Sequence, residues 1–167
     1  MRDPWMLKEH MLRGLQSISL LVLAVFFLPA VSEFDQLTVT GPSATAFVTY
    51  DLTELQSMPE VIVNTTTPWT DGMQEFRGVP LAALLPNMVG VFELRLTAVN
   101  DYVVTMPSDL LTDSIPIVAY ERNGMLMSIR DKGPFWLIFP FDDSETFMTD
   151  AMLSRSIWQL FRIEILQ

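Results

Sequence analysis

Three charged residues, Arg130, Asp131 and Lys132, stand immediately before Gly133-Pro134 and an apolar run, Phe135 to Phe139, that Pro140 closes. An unbroken run of aromatic and branched side chains fits a strand buried on both faces. A Gly-Pro pair is a turn. The sequence therefore predicts a stiff buried strand over 135–139 with a polar cluster held at its mouth. Two cations and a carboxylate so placed could grip the polar edge of a ligand; without that role they are a solvated loop leading into a core strand. Asp142, Asp143 and Glu145 carry oxygen ligands of the kind calcium takes. Their spacing matches no calcium loop, and they read as an exposed acidic turn.

The missing residue types are equally informative. The chain has no cysteine, and its one histidine, His10, lies near the start. The remainder cannot run a Cys-His or Ser-His-Asp mechanism, and it cannot build a thiolate or imidazole metal site. No spacing supports a Ser/Lys or two-carboxylate hydrolase. Catalysis is therefore not the leading expectation.

The first 32 residues read as a secretory signal peptide. Lys8 and Arg13 supply the positive region, Leu15 to Leu28 the apolar core, and Ala30-Val31-Ser32 a small-x-small cleavage site. An uncleaved membrane anchor is the alternative, but the apolar run is short of the roughly 20 residues a span needs. Export to the periplasm is the expectation, with residues 33–167 forming one domain held by packing alone, without disulfides. The first 32 residues hold three cations and two acids, which leaves 7 cations against 18 acids beyond them, a net charge of −11. Such a surface repels phosphate backbones, so nucleic acid is not an expected partner.

The elements that must position these groups follow from pattern and punctuation. Strands are expected over 36–40 and 46–50, and Asp51 is placed to cap a short helix over 52–58 that Pro59 stops. Glu60 to Thr66 reads as a strand and 68–72 as a loop. Residues 76–80 read as the approach to a short helix, with Pro80 in its first turn, Leu81, Leu84 and Leu85 facing the core, and Pro86 ending it. Phe92–Val99 and Tyr102–Met106 pair across Asn100-Asp101, and a single helical turn runs from Pro107 to Leu111. Ile115–Arg122 and Met125–Arg130 pair across Asn123-Gly124, the sharpest hairpin signal in the chain. A short helix over 149–155 and a strand over 157–166 close the chain. The fold class is α+β, a β-rich mixed sheet with short helices.

Several of these stretches resemble one family in order. Phe76-Arg77-Gly78-Val79-Pro80-Leu81 with Leu84-Leu85 is similar to an element of the oxidoreductase molybdopterin-binding domain, the fold of sulfite oxidase and its bacterial relatives. Ala98-Val99-Asn100-Asp101-Tyr102 resembles that family's Ala-x-Asp-Gly-Tyr turn, followed by Met106-Pro107 and Asp109-Leu110. Asn123-Gly124 with Leu126, Gly133-Pro134, Ile138-Phe139-Pro140 and the closing Ile157-Trp158 with Arg162-Ile163-Glu164 complete a resemblance covering roughly residues 55–166. The departures carry as much weight. The enzymes bind molybdenum through a cysteine just before the Val-Pro-Leu element, and the strand that should carry it ends in Asn64-Thr65-Thr66-Thr67. A threonine hydroxyl is not a soft anionic ligand.

The resemblance implies a small exported, cysteine-less member with a pterin-shaped pocket and no molybdenum. It also implies a signalling role, in which a reduced or molybdopterin-like pterin is bound and a membrane partner such as a cyclic-di-GMP enzyme is contacted. A molybdenum-cofactor oxidoreductase or redox-partner subunit is the alternative, and a ligand-free interaction scaffold the third reading. A pterin needs an aromatic face and polar groups along its edge. Trp69, Tyr102 and Trp136, aromatics beside turns, are the candidates for the face. Asp101 and Asp131 are candidates for the paired N–H donors, with Asn100, Thr65 and Thr67 completing the edge, and Arg130 and Lys132 for carbonyls or an anionic tail. Trp158 reads as core, and Trp69, in a Thr/Pro/Gly loop, is the aromatic least explained by packing.

Overall fold

The computed structural model describes residues 35–42, 47–85 and 90–166; the expected leader over 1–32 and the helix stop at Pro86 lie outside them. Among the described residues the strands are β1 (Gln36–Thr40), β2 (Phe47–Asp51), β3 (Val61–Thr65), β4 (Gln74–Pro80) and β5 (Glu93–Ala98). After them come β6 (Val103–Pro107), β7 (Ile117–Arg122), β8 (Met125–Leu126), β9 (Trp136–Ile138) and β10 (Leu160–Leu166). Two short helices, α1 (Leu52–Gln56) and α2 (Asp150–Arg155), and several single turns of 3-10 helix join them. The protein is a β-rich α+β fold, as the pattern predicts.

The strands divide over two sheets. The first runs β2-β1-β10-β5-β6 and is mixed, because β1 pairs β10 in parallel while its other pairs are antiparallel. The second runs β3-β4-β7-β8 and is antiparallel, with β9 sharing the outer edge of β7 with β8. Along β7 and β9 the side chains alternate between two cores. Val118, Tyr120 and Leu137 enter the main core with Leu37, Leu94, Leu96 and Ile163 of the first sheet. Ile117, Ala119, Trp136 and Ile138 join Val63 and Phe76 in a second cluster. A strand buried on both faces has no polar position to show, which is why residues 135–139 read as a continuous apolar run.

The largest correction concerns residues 76–80, which are a strand and not the approach to a helix. They form most of β4, paired on one side to β3 and on the other to β7, with a register shift between Arg77 and Gly78. Gly78 stands where a Cβ would collide with the Val118 carbonyl oxygen and the Ala119 backbone, so the close approach of β7 requires glycine. Pro80 is tolerated because it ends the strand, and Leu81 N donates to Pro116 O at 2.9 Å beyond it. The helical turn begins one residue later, over Leu81–Leu84, burying Leu81 and Leu84.

The hairpin at Asn123-Gly124 forms, with both residues at positive φ. Its second strand is shorter than the expected 125–130 and ends at Leu126. Ser128 O then accepts from both Asp131 N and Gly133 N at 2.8 Å, curling 129–131 into a 3-10 turn. The curl frees the rest of β7's edge for β9, from Ile117↔Ile138 to Ala119↔Trp136. Asp51 caps α1 in a full capping box with Glu54, both bonds at 2.8 Å. The last strand begins at Leu160, later than expected, because Gln159 sits at φ 53.

Candidate functional site

β9 alternates its side chains, and Trp136 falls on the face away from the main core. Its indole N–H donates to both the carbonyl and the hydroxyl oxygen of Ser156 at 3.1 Å, while Ser156 Oγ donates to Leu137 O at 2.7 Å. Two further indoles gather on it, Trp69 from the β3–β4 loop and Trp158 from the connector between α2 and β10. Ring centroids lie 5.9 Å apart for Trp69–Trp136, 5.6 Å for Trp69–Trp158 and 6.1 Å for Trp136–Trp158, all tilted or edge-on. Phe76 meets Trp136 at 5.3 Å and Phe141 meets Trp69 at 6.2 Å. These are the geometries that ring quadrupoles favour.

Trp69 and Trp158 border a cleft of about 350 Å³. It is lined as well by Ala98 at the end of β5, Asn100 and Tyr102 of the β5–β6 turn, and Leu153, Ser154, Ser156 and Ile157 of α2 and the connector. The turn is shaped by its own backbone. Asp101 adopts φ 63 and donates its N–H to Ala98 O at 2.9 Å, and Asn100 Oδ1 accepts from Tyr102 N at 3.2 Å. Tyr102 reaches across the mouth, its hydroxyl donating to Ser154 O at 3.3 Å.

Of the ten residues proposed from sequence, the cleft brings together Trp69, Asn100 and Tyr102. Trp136 is fully buried and stands behind Trp69 and Trp158 as their support, so no ligand in the cleft can stack on it. Asp101 forms the turn and is not among the lining residues. Thr67 is a positioning residue: its hydroxyl pairs with that of Thr70 at 2.8 Å and accepts Trp69 N at 3.2 Å. Arg130, Asp131 and Lys132 lie outside the lining. Asp131 pairs with Arg122 at 2.6 Å, and the Lys132 ammonium sits 5.7 Å from the Trp136 ring and 6.0 Å from that of Trp158.

Thr65 is buried and committed. Its hydroxyl contacts Thr66 O and Asp142 Oδ2 and accepts Asp142 N at 3.2 Å. The Asp142 carboxylate also takes Thr66 N at 2.5 Å and Thr66 Oγ1 at 2.7 Å, and these bonds hold its pKa below the usual carboxylate range. Asp142, read from sequence as a solvated turn, is thus the clasp on the loop that carries Trp69. A bonded neutral hydroxyl at Thr65 does not fit a molybdenum ligand, and among the described residues no three His, Cys, Asp or Glu side chains are grouped to hold a metal ion.

Sequence reasoning missed Trp158 and the α2 connector. The signal that singled out Trp69, an aromatic beside turn-forming polar residues, also holds at Trp158, between Ser156 and Gln159.

No protein-family model matches the chain, and no curated protein matches it. Among solved structures the fold is similar to that of the sulfane dehydrogenase SoxCD from Paracoccus pantotrophus, with a TM-score of 0.59 at 16% sequence identity. The match covers 81% of this chain and 39% of that one, so the chain spans well under half the length of its structural neighbour. The similarity shows a shared fold.

Proposed function

We propose that this chain is an exported, non-catalytic pterin-binding protein whose ligand stacks in the cleft between Trp69, Trp158 and Tyr102. The observation that carries the reading is the convergence of two indoles and a phenol on one cleft. At about 350 Å³ it falls at the lower end of the roughly 300–1,000 Å³ usual for small-molecule sites. A flat heterocycle gains most from such walls, and Asn100 and Ser154 line the cleft. The Asn100 amide nitrogen keeps donors for the ligand's edge, while the Ser154 hydroxyl, which donates to Ala151 O, keeps acceptor capacity. The Asp142 clasp and Thr67 hold Trp69 in place before the ligand arrives, which lowers the cost of ordering it. The expected signal peptide and the implied family role support a further step, in which occupancy is read by a membrane-bound partner.

The experiment is mass spectrometry and fluorescence of small molecules released from protein purified from its native compartment, with metal analysis on the same sample. A pterin without molybdenum is the expected result, with occupancy falling in Trp69→Ala and Trp158→Ala. The fold likeness to a dehydrogenase favours one rival, a molybdenum-cofactor oxidoreductase or a subunit of one. Molybdenum in near-stoichiometric amount would establish that rival and end the binding-module reading. A chain that releases nothing and takes up no added pterin would be an interaction scaffold.

A further inference from the structure

β8 is the outermost strand beside β7, and no strand pairs with its other edge among the described residues. The apolar side chains from β8 onward are displayed: Met125 is 71% exposed, Leu126 54% and Ile129 38%. The segment that carries them is held firmly. Gln159 Nε2 donates to Ile129 O at 2.7 Å, Gln159 N donates to Lys132 O at 3.2 Å, and Gly133 packs so closely on the Met127 backbone that no Cβ would fit. A rigid strip with solvated methionine, leucine and isoleucine costs solvation in the free protein and suits a partner.

The strip also differs in charge from the rest of the chain. Residues 122–132 hold Arg122, Arg130 and Lys132 against Asp131 alone, a local +2 in a chain of net charge −10. Arg122 and Asp131 neutralise one another, whereas the Arg130 guanidinium has no ion-pair partner among the described residues. We propose that Met125–Lys132 is a docking surface for an extended segment of a partner protein that carries apolar residues together with acidic ones. The open edge of β8 meets the segment's main chain, Met125, Leu126 and Ile129 receive its apolar side chains, and Arg130 receives a carboxylate. None of these residues lines the cleft, so the proposal stands whether or not the cleft binds a pterin.

The test is selection of random peptides of about a dozen residues displayed on phage against the purified protein, followed by fluorescence anisotropy with a labelled survivor. The survivors are expected to be rich in Asp and Glu together with apolar residues, and their binding is expected to weaken as salt is raised. A Met125→Ser/Leu126→Ser double variant and Arg130→Glu should each lower affinity by about tenfold or more, with circular dichroism and Tm unchanged because the residues are exposed. Selection that yields nothing, or basic peptides, or peptides that bind the double variant equally well, overturns the proposal. Sedimentation with phosphatidylglycerol vesicles, or self-association, abolished by the same double variant would assign the strip to a membrane or to a second copy and overturn it equally.

Discussion

Trp136 and Trp158 sit 6.1 Å apart with opposite duties, and substitution should separate them. Trp136 is fully buried, touches Phe76, Trp69 and Trp158, and donates its N–H to Ser156. Removing so large a core side chain typically costs about 3–5 kcal/mol. Trp136→Ala should therefore lower the urea midpoint steeply whatever ligand is present. Trp158→Ala and Trp69→Ala remove half-buried walls and should leave most of the stability while costing about 1–3 kcal/mol of ligand stacking, on the order of ten- to a hundredfold in Kd. Equal losses of stability in all three variants would contradict this division.

Asp142 also supports a residue-level prediction. Hydrogen bonds from Thr66 and Thr65 stabilise its charged form, so its pKa in the folded protein lies below that of the unfolded chain. A group depressed in this way contributes its full stability above the unfolded-state value and loses it as pH falls through the folded one. Asp142→Asn should therefore melt below the wild type at neutral pH, and the gap should close as the solution is acidified below the ordinary carboxylate range. The difference between the two proteins, followed by Tm across pH, removes the contribution of neighbours such as Asp143 and Glu145. A gap that stays constant down to the lowest pH would show that the carboxylate charge does not fasten the Trp69 loop.

Among the elements, those announced by local chemistry were legible in the sequence. The Asn123-Gly124 hairpin, the Asp51 cap and the buried run at 135–139 each state their structure within a few residues. β4 was not legible, because its alternation breaks at the Arg77–Gly78 shift and its Gly and Pro read locally as punctuation. Only the neighbouring strands explain them. The cleft was half legible for a similar reason: Asn100, Tyr102 and Trp69 stand out beside turns, but Trp158 joins them only once α2 has been packed. Arg130 and Lys132 stood in a polar stretch beside a buried strand, yet neither lines the cleft, and the Lys132 ammonium reaches the ring of Trp158 from outside the lining. Two backbone substitutions test this scale. Gly78→Ala forces a methyl into the Val118 carbonyl and should destabilise by about 1–3 kcal/mol or more in denaturant melts. Asp101→Gly relieves a left-handed residue at φ 63 and should be neutral or slightly stabilising, leaving ligand affinity intact. A large loss of affinity in Asp101→Gly would return Asp101 to the binding site.

On the scale of the whole molecule, the cleft joins the two sheets. Asn100 and Tyr102 come from the β5–β6 turn of the first sheet, and Trp69 from the β3–β4 loop of the second. Tyr102 already ties the turn to α2 with one hydrogen bond to Ser154 O at 3.3 Å, a long bond for the mouth of a cleft. A heterocycle seated there touches both layers and is lost if either opens, so it should bind the native chain and not the unfolded one. Its stabilisation then follows mass action, about 2.7 kcal/mol at a free concentration one hundred times Kd. Hydrogen exchange with saturating ligand should slow together at 98–102, at 67–70 and at 153–158, because the three segments share one occupant. Protection confined to the Trp69 loop would mean that the ligand lies on the second sheet alone, and the two-layer cleft would not be the binding site.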